Sequence, residues 1–462
     1  MAKRELLKKN ELITLDIEDL TNLGFGVGRY MGAVVFVASA VPGDRVRARI
    51  IKAASSYYVG RAEEYITLSD MRSEGRCDNK RCHSCAYREI SYECELEIKR
   101  SAIRSAFLKE GVAIEVLPTV PSPKKCGYRN KAQYPIALDK NGDYTIGFYA
   151  PKSHNVCEAA DCNMAPDIFG DILECLRTFF KENGISVYSE KDGTGLLRHI
   201  YLRRSEELGE VMLVIVINGD RLPRSDALVA TVTERFSEVC GILLNVNREN
   251  TNVILGDRYV TLFGRDYITD TLAGVKLKIT APSFYQVNHG TATLIYEKAR
   301  ELAALSKDDV LLDLFCGAGS IGLSMARDCR ELIGIEIVES AVECAKYNAL
   351  ANGITNASFY TGDASDAQKF LERAEVERGE KIVPDVVILD PPRAGSTESL
   401  LSFVASLSPK RIVYVSCNPQ TLARDVKIMA ELGYTTDTVE GYDMFPMTGH
   451  VESLVCLQKQ IN

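Results

Sequence analysis

Hydrophobic and polar positions change their period along this chain. Residues 11–66 alternate in short runs: Leu12-Ile13-Thr14-Leu15-Asp16-Ile17, then Ala33-Val34-Val35-Phe36-Val37, then Arg45-Val46-Arg47-Ala48-Arg49-Ile50. Gly24-Phe25-Gly26-Val27-Gly28 and Pro42-Gly43-Asp44 separate them. Short strands punctuated by Gly and Pro predict a small β-barrel. In the last run Arg45, Arg47 and Arg49 alternate with Val46, Ala48 and Ile50, which directs the arginines outward as a basic strip suited to phosphates. Residues 92–110 read as a charged helix ending at Gly111. Residues 126–280 read as a second, mixed β region. Tyr144-Thr145-Ile146-Gly147-Phe148 follows an Asn141-Gly142 turn, and Val211-Met212-Leu213-Val214-Ile215-Val216-Ile217 is a strong strand. On a neighbouring strand Arg198, Arg203 and Arg204 flank His199 and Tyr201. Such a mix either covers an exposed strand face or holds phosphates and stacks bases.

From about 284 the pattern becomes strand, helix, strand. Val310-Leu311-Leu312-Asp313-Leu314-Phe315 is followed by a glycine turn and a helix, then by Glu331-Leu332-Ile333-Gly334-Ile335-Glu336. Phe359-Tyr360 leads to Asp363, Val386-Val387-Ile388-Leu389 to Asp390, and Arg411 to Ser416 leads to Cys417. Strands alternating with helices predict an α/β fold with a doubly wound sheet. The expected division is a β-barrel over 1–68, a central mixed-β domain over 69–280 and the doubly wound domain over 281–462.

A length of 462 residues fits two or three domains, and 46% hydrophobic with 26% charged residues fits an ordinary soluble protein. No apolar run nears the roughly 20 residues that span a bilayer. The charged start, Met1 to Asn10, lacks a signal-peptide core, so a cytoplasmic protein with no membrane partner is expected, working as a monomer. The net charge of −8 hides an asymmetry. Residues 1–131 carry 23 Lys and Arg against 17 Asp and Glu, whereas the remainder carries 32 against 46. A basic front on an acidic remainder is compatible with RNA binding, because local field outweighs total charge.

Fourteen cysteines in such a protein point to metal binding or catalysis rather than a disulfide framework. Cys77, Cys82 and Cys85 cluster in a polar segment. Thiolates bind soft metals, normally as a set of four, and the spacing leaves zinc and iron–sulfur both open. The nearest downstream candidates for a fourth ligand, after Cys94 and Cys126, are Cys157 and Cys162.

Cys316-Gly317-Ala318-Gly319-Ser320 closes a strand and opens a helix, and Glu336 follows Gly317 by 19 residues at the next strand end. An acid there suits a ribose hydroxyl. The turn is G-x-G without the longer dinucleotide pattern or a phosphate-binding lysine. An adenosine ligand lacking pyrophosphate fits it, namely S-adenosylmethionine, with Asp363 near the adenine. Cys417, in Val413-Tyr414-Val415-Ser416-Cys417-Asn418-Pro419, ends a buried strand where open α/β sheets place their chemistry. Alone it could be a core filler. Asp390-Pro391-Pro392-Arg393 upstream and His450-Val451-Glu452 downstream favour a reactive thiol.

Residues 1–66 resemble a TRAM domain, an RNA-binding barrel attached to RNA-modifying enzymes. Ser283-Phe284-Tyr285-Gln286-Val287-Asn288, Asp313-Leu314-Phe315-Cys316-Gly317, Asp390-Pro391-Pro392-Arg393-Ala394-Gly395, Ser416-Cys417-Asn418-Pro419 and His450-Val451-Glu452 together resemble the RNA (uracil-5-)-methyltransferase family, its 23S ribosomal RNA branch most closely. The resemblance spans essentially the whole chain. It implies a Rossmann-like methyltransferase domain with Cys417 as nucleophile and Glu452 as base. It also implies S-adenosylmethionine contacts from Gln286, Phe315, Glu336, Asp363 and Asp390, and a [4Fe-4S] cluster on Cys77, Cys82, Cys85 and Cys162. Ser320 departs from it, standing where relatives carry asparagine. The implied reaction is methylation of carbon 5 of a uridine in 23S ribosomal RNA. The alternatives are the same chemistry on transfer RNA, or a non-catalytic iron–sulfur RNA-binding factor.

The chemistry demands the same pair. Uracil carbon 5 is too weak a nucleophile to take a methyl from a sulfonium. A thiolate adding to carbon 6 makes it an enolate, and a base must then remove the hydrogen left on carbon 5.

Overall fold

The computed structural model describes residues 7–74, 77, 79, 82, 84–150 and 153–460. Five strands close a barrel in the order Leu12–Leu20, Phe25–Tyr30, Ala33–Ala38, Tyr58–Thr67, Arg45–Ala53. The period-two pattern is obeyed: Ile13, Leu15, Ile17, Val46, Ala48 and Ile50 fill the interior, and Arg45, Arg47 and Arg49 face outward. Their strip is not freely basic, however. Arg45 lies 3.8 Å from Asp16, Arg47 3.6 Å from Glu64, and Arg49 2.6 Å from Glu63. Strand neighbours distant in sequence supply these carboxylates, so the linear pattern hides the pairing.

The central sheet has seven strands, ordered Arg258–Gly264, Val239–Val246, Val211–Ile217, Leu197–Arg204, Lys131–Leu138, Tyr144–Tyr149, Val156–Glu158. Helices Asp167–Glu182 and Ser225–Arg235 cover one face, where Phe169, Leu176 and Phe180 pack with Ile200, Leu202 and Leu213. Tyr201, Met212 and Val214 on the other face share a core with the C-terminal half. The strand carrying Arg203 is therefore interior rather than an exposed face. Arg203 is fully buried, donating through Nη1 to Thr280 O at 2.9 Å and through Nη2 to Ser283 O at 2.8 Å. It ties the central sheet to the Thr280–Ser283 segment and is closed to solvent.

The C-terminal sheet runs Ala357–Thr361, Glu331–Glu336, Val310–Leu314, Val386–Leu389 and Arg411–Ser416, all parallel. Antiparallel Glu452–Lys459 and then Thr438–Tyr442 extend it. This is the doubly wound α/β fold that the alternating pattern predicts, with its order reversing between Val310–Leu314 and Val386–Leu389. Its last strand, Glu115–Val116, comes from the front of the chain and pairs in parallel with Thr438 and Val439. Helix Tyr92–Glu110, capped by Ser91 and ended by Gly111 at φ 74°, also belongs here. Ile103, Ala106 and Phe107 form a stripe at helical spacing and share a core with Leu422 and Val426 of helix Pro419–Glu431. Residues 92–116 thus pack with the C-terminal sheet, although the division read from sequence sets them in the central domain. Among the described residues no helix is long and apolar enough to cross a membrane.

Candidate active site

A cavity of about 710 Å³ opens at the carboxyl ends of the parallel strands, at the point where strand order reverses. Cys417, Glu452, Asp390, Phe315, Glu336, Asp363 and Gln286 all line it. Sheet register brings the first two together. Ser416 pairs with Ser453 across antiparallel strands, where the ladder ends, so Cys417 just past one strand end and Glu452 at the start of the other both reach the cavity. Beyond Cys417 the chain turns sharply. Asn418 caps helix Pro419–Glu431 by accepting from Gln420 N, and Pro419 starts it.

Charge in this corner is crowded. Burial, then the nearby Asp390 charge, push Glu452 up to about 8, while Arg393 pulls it down. Burial, then Glu452, push the Cys417 thiol up to about 11, and Arg393 again opposes. Burial raises Asp390 to about 7. Near neutral pH the thiol and Glu452 therefore hold protons, and Arg393 is the cation that favours their ionised forms. Its Nη2 lies 3.2 Å from His450 Nδ1, and its carbonyl accepts from Asn418 Nδ2 at 3.1 Å.

The segment Asp443–His450 leads into Glu452 and is held on every side. Tyr128 donates to Pro446 O, Tyr87 N to Met447 O, Asn288 Nδ2 to Met444 O, and Lys99 Nζ to Phe445 O. Gly449 abuts the barrel: a Cβ there would come within 2.4 Å of the Asn22 backbone.

The other half of the cavity is shaped by the glycine turn. Phe315 takes φ 65°, a left-handed conformation costing of order 1–3 kcal/mol, and its ring lines the cavity. Gly317 at φ 54° and Gly319 at φ 79° complete the bend. Glu336 Oε2 accepts from Gly317 N at 3.1 Å, and Oε1 from Val338 N at 2.9 Å, which fixes its carboxylate at the rim. Ser320 pairs with the Tyr296 hydroxyl at 2.9 Å.

Among the lining residues to which sequence reasoning gave no role are Asp313, Tyr296 and Phe445. Asp313 is raised to about 8, first by burial, and its Oδ1 has no hydrogen-bond partner. Its polarity inside an otherwise apolar strand was the available signal. Phe445 carried none, since only the folded Asp443–His450 segment brings it to the cavity.

Cys77, Cys82, Cys85 and Cys162 come near one another. Burial, then the charges of Cys162, Cys77 and Cys82, push the Cys85 thiol up to about 12. Cys162 is raised by burial, with Cys82 and Cys77 adding to it. Among the described residues no three His, Cys, Asp or Glu side chains are gathered as a closed metal-binding group.

The profile of the tRNA (Uracil-5-)-methyltransferase family matches residues 247–460, and that of the TRAM domain residues 7–62. An uncharacterized RNA methyltransferase of Clostridium acetobutylicum is 37% identical over 464 residues, 99% of each chain. This chain belongs to the RNA (uracil-5-)-methyltransferase family. A Listeria monocytogenes protein described in the same words is 38% identical over 454 residues, 98% of each chain. Among solved structures, the Pyrococcus abyssi tRNA (uracil-54, C5)-methyltransferase in complex with S-adenosyl-L-homocysteine aligns with TM-score 0.76 at 29% identity. The alignment covers 96% of this methyltransferase and 100% of that one.

Proposed function

We propose that this enzyme methylates carbon 5 of one uridine in 23S ribosomal RNA, with S-adenosylmethionine as donor and Cys417 as a transient covalent anchor. The observation that carries the reading is Cys417 and Glu452 lining one cavity, with the Glu452 charge acting on the Cys417 thiol. The residues present suit the donor. Glu336 would take the ribose hydroxyls and Asp363 the adenine side, with Gln286, Phe315 and Asp390 around the rest. Asp313 Oδ1, buried without a partner, leaves a polar atom for a ligand. Bound there, S-adenosylmethionine supplies an electrophilic methyl group.

The protein's part is to make uracil reactive and then release it. Cys417 gives its proton to solvent water, and Arg393 eases that ionisation. The thiolate bonds to carbon 6, and the carbon 5–carbon 6 π pair moves out as an enolate. Carbon 5 then takes the methyl and carries one surplus hydrogen. Glu452, once ionised, accepts that proton, the double bond re-forms, and the carbon–sulfur bond breaks to return the thiolate. The target uridine must leave its stack to reach this corner.

Transfer RNA is the second reading, favoured by the substrate named for the Pyrococcus abyssi structure. Mapping 5-methyluridine in ribosomal and transfer RNA from a strain lacking this gene separates the two. Loss from 23S RNA alone supports the first, loss from transfer RNA the second, and no loss from either refutes both.

We also propose that Cys77, Cys82, Cys85 and Cys162 hold a [4Fe-4S] cluster. Support comes from Cys77 and Cys82 lying close enough for their charges to raise both the Cys85 and the Cys162 thiols. No catalytic step involves the cluster.

A further inference from the structure

A second cavity, of about 430 Å³, lies on the central sheet, away from the cysteine corner. Its polar lining is built and incompletely used. Arg198 and His199 are 6% and 8% exposed, yet Arg198 Nε and His199 Nδ1 have no hydrogen-bond partner. Arg198 is fixed from behind, its Nη1 donating to Asn247 O at 2.7 Å and Glu249 O at 2.8 Å. Buried polar groups without a partner, on residues that line a cavity, call for an explanation, and a ligand is one.

The rest of the lining says which ligand. Tyr188 lies under the Arg198 guanidinium at 4.6 Å, and Tyr149 and His154 meet edge to face at 5.8 Å, both partly open to solvent. Glu190 is engaged by His154 at 2.7 Å and by the Tyr149 hydroxyl at 3.4 Å. Arg198 repels a metal cation. Its Nε–H can only donate, so the ligand must present an acceptor. Burial, then the Arg198 charge, hold His199 down to about 4, so it is neutral and can donate or accept. Aromatic rings at the mouth and a donor on the floor suit a flat heteroaromatic ring bearing a carbonyl oxygen.

Position links this cavity to the reaction. By strand alternation His199 shares a sheet face with Tyr201 and Arg203. Tyr201 donates to Ala281 O at 2.8 Å and Arg203 to Ser283 O, beside Phe284 of the methyltransferase cavity. His199 to Arg203 spans roughly 13 Å of strand, within reach of one RNA strand.

We propose that this cavity receives a second unstacked base of the substrate RNA, a keto base such as uracil or guanine, held by Tyr149, Tyr188, Arg198 and His199. This rests on the RNA-methyltransferase reading above. The test measures filter binding of a fluorescent 15-nucleotide oligouridine to the full chain, alongside methylation kinetics on total RNA. Tyr149→Ala and Tyr188→Ala are each expected to weaken oligouridine binding by about 5- to 150-fold, the contribution of one stacked base. KM for RNA should rise with kcat unchanged. Tyr149→Phe, which keeps the ring and removes the hydroxyl bond to Glu190, should bind as the wild type. Unchanged affinity in both alanine variants overturns the proposal, as does equal loss in Tyr149→Phe, or a wild type that does not bind oligouridine. Binding is read without catalysis. A wild type that binds through these tyrosines but methylates no uridine would sink the catalytic reading and leave the cavity standing.

Discussion

Lys99 Nζ stands 2.5 Å from Asp443 Oδ1, with both side chains shut off from solvent. The same ammonium lies 2.9 Å from Glu95 Oε1, which also accepts from Met447 N at 2.6 Å. The Tyr92 hydroxyl donates to the other Asp443 oxygen at 2.7 Å. One cation thus joins helix Tyr92–Glu110 to the segment that carries His450 and ends at Glu452.

Replacing the cation should therefore be costly. Lys99→Met leaves two carboxylates buried without it, and removing one partner of such a group costs about 3–5 kcal/mol. The urea midpoint should fall accordingly. Because Asp443–His450 loses its tie, kcat should fall in variants that are still folded. An unfolding free energy within about 1 kcal/mol of wild type would refute the network's role.

Cys417 and Glu452 should fail differently. Cys417→Ala removes the addition, so neither a 5-fluorouridine RNA adduct nor methylated product should form. Glu452→Gln keeps addition and methyl transfer but lacks the proton acceptor. It should accumulate a covalent, methylated RNA complex on denaturing gels, with turnover about 10²–10⁴-fold slower. Normal turnover by Glu452→Gln would remove Glu452 from the base role.

Stability should carry the mark of Glu452. Its folded pKa is raised to about 8 from an ordinary 4.5. Between those values the folded state binds more protons than the unfolded one, so stability falls as pH rises through the window. Glu452→Gln removes this loss. Thermal melts should show the variant gaining on wild type from pH 5 to pH 8, and a constant difference would contradict the raised pKa. Adduct formation should rise over the same range, because the Cys417 thiol also holds its proton.

Anaerobically purified protein should contain iron and sulfide. Cys162→Ser should lose both, whereas Cys157→Ser, in strand Val156–Glu158, should keep them. Stoichiometric zinc without iron would show the wrong metal was chosen. Stripping the iron should shift the melting curve downward and leave the Cys417 adduct chemistry intact in surviving folded molecules.

The barrel, the doubly wound sheet and the cysteine corner were legible because each rests on local chemistry. Alternation declared Val46 and Ile50 interior, and apolar strands ending in Asp390 or Cys417 declared a sheet with its chemistry at one edge. Long-range pairing was not legible. Nothing near Arg49 announces Glu63 across the barrel. Arg203 read as an exposed strand arginine because the Thr280 and Ser283 carbonyls that accept from its Nη1 and Nη2 lie far along the chain. Nothing in the charged helix over 92–110 marks Lys99 and Glu95 as interior, because Asp443, which pairs with Lys99 there, lies more than 340 residues further along the chain.

The two-residue strand Glu115–Val116 has a consequence for how such a protein is made. The ribosome delivers it long before its partner Thr438–Tyr442 exists, so the sheet's last edge must wait for the final segment of the chain. Excised alone, the methyltransferase half would lose that strand and the helix beside it, and bare a pairing edge to its neighbours. The front of the chain is therefore part of the catalytic half's own sheet and core, and a fragment cut without it would leave that edge and the face of helix Pro419–Glu431 uncovered.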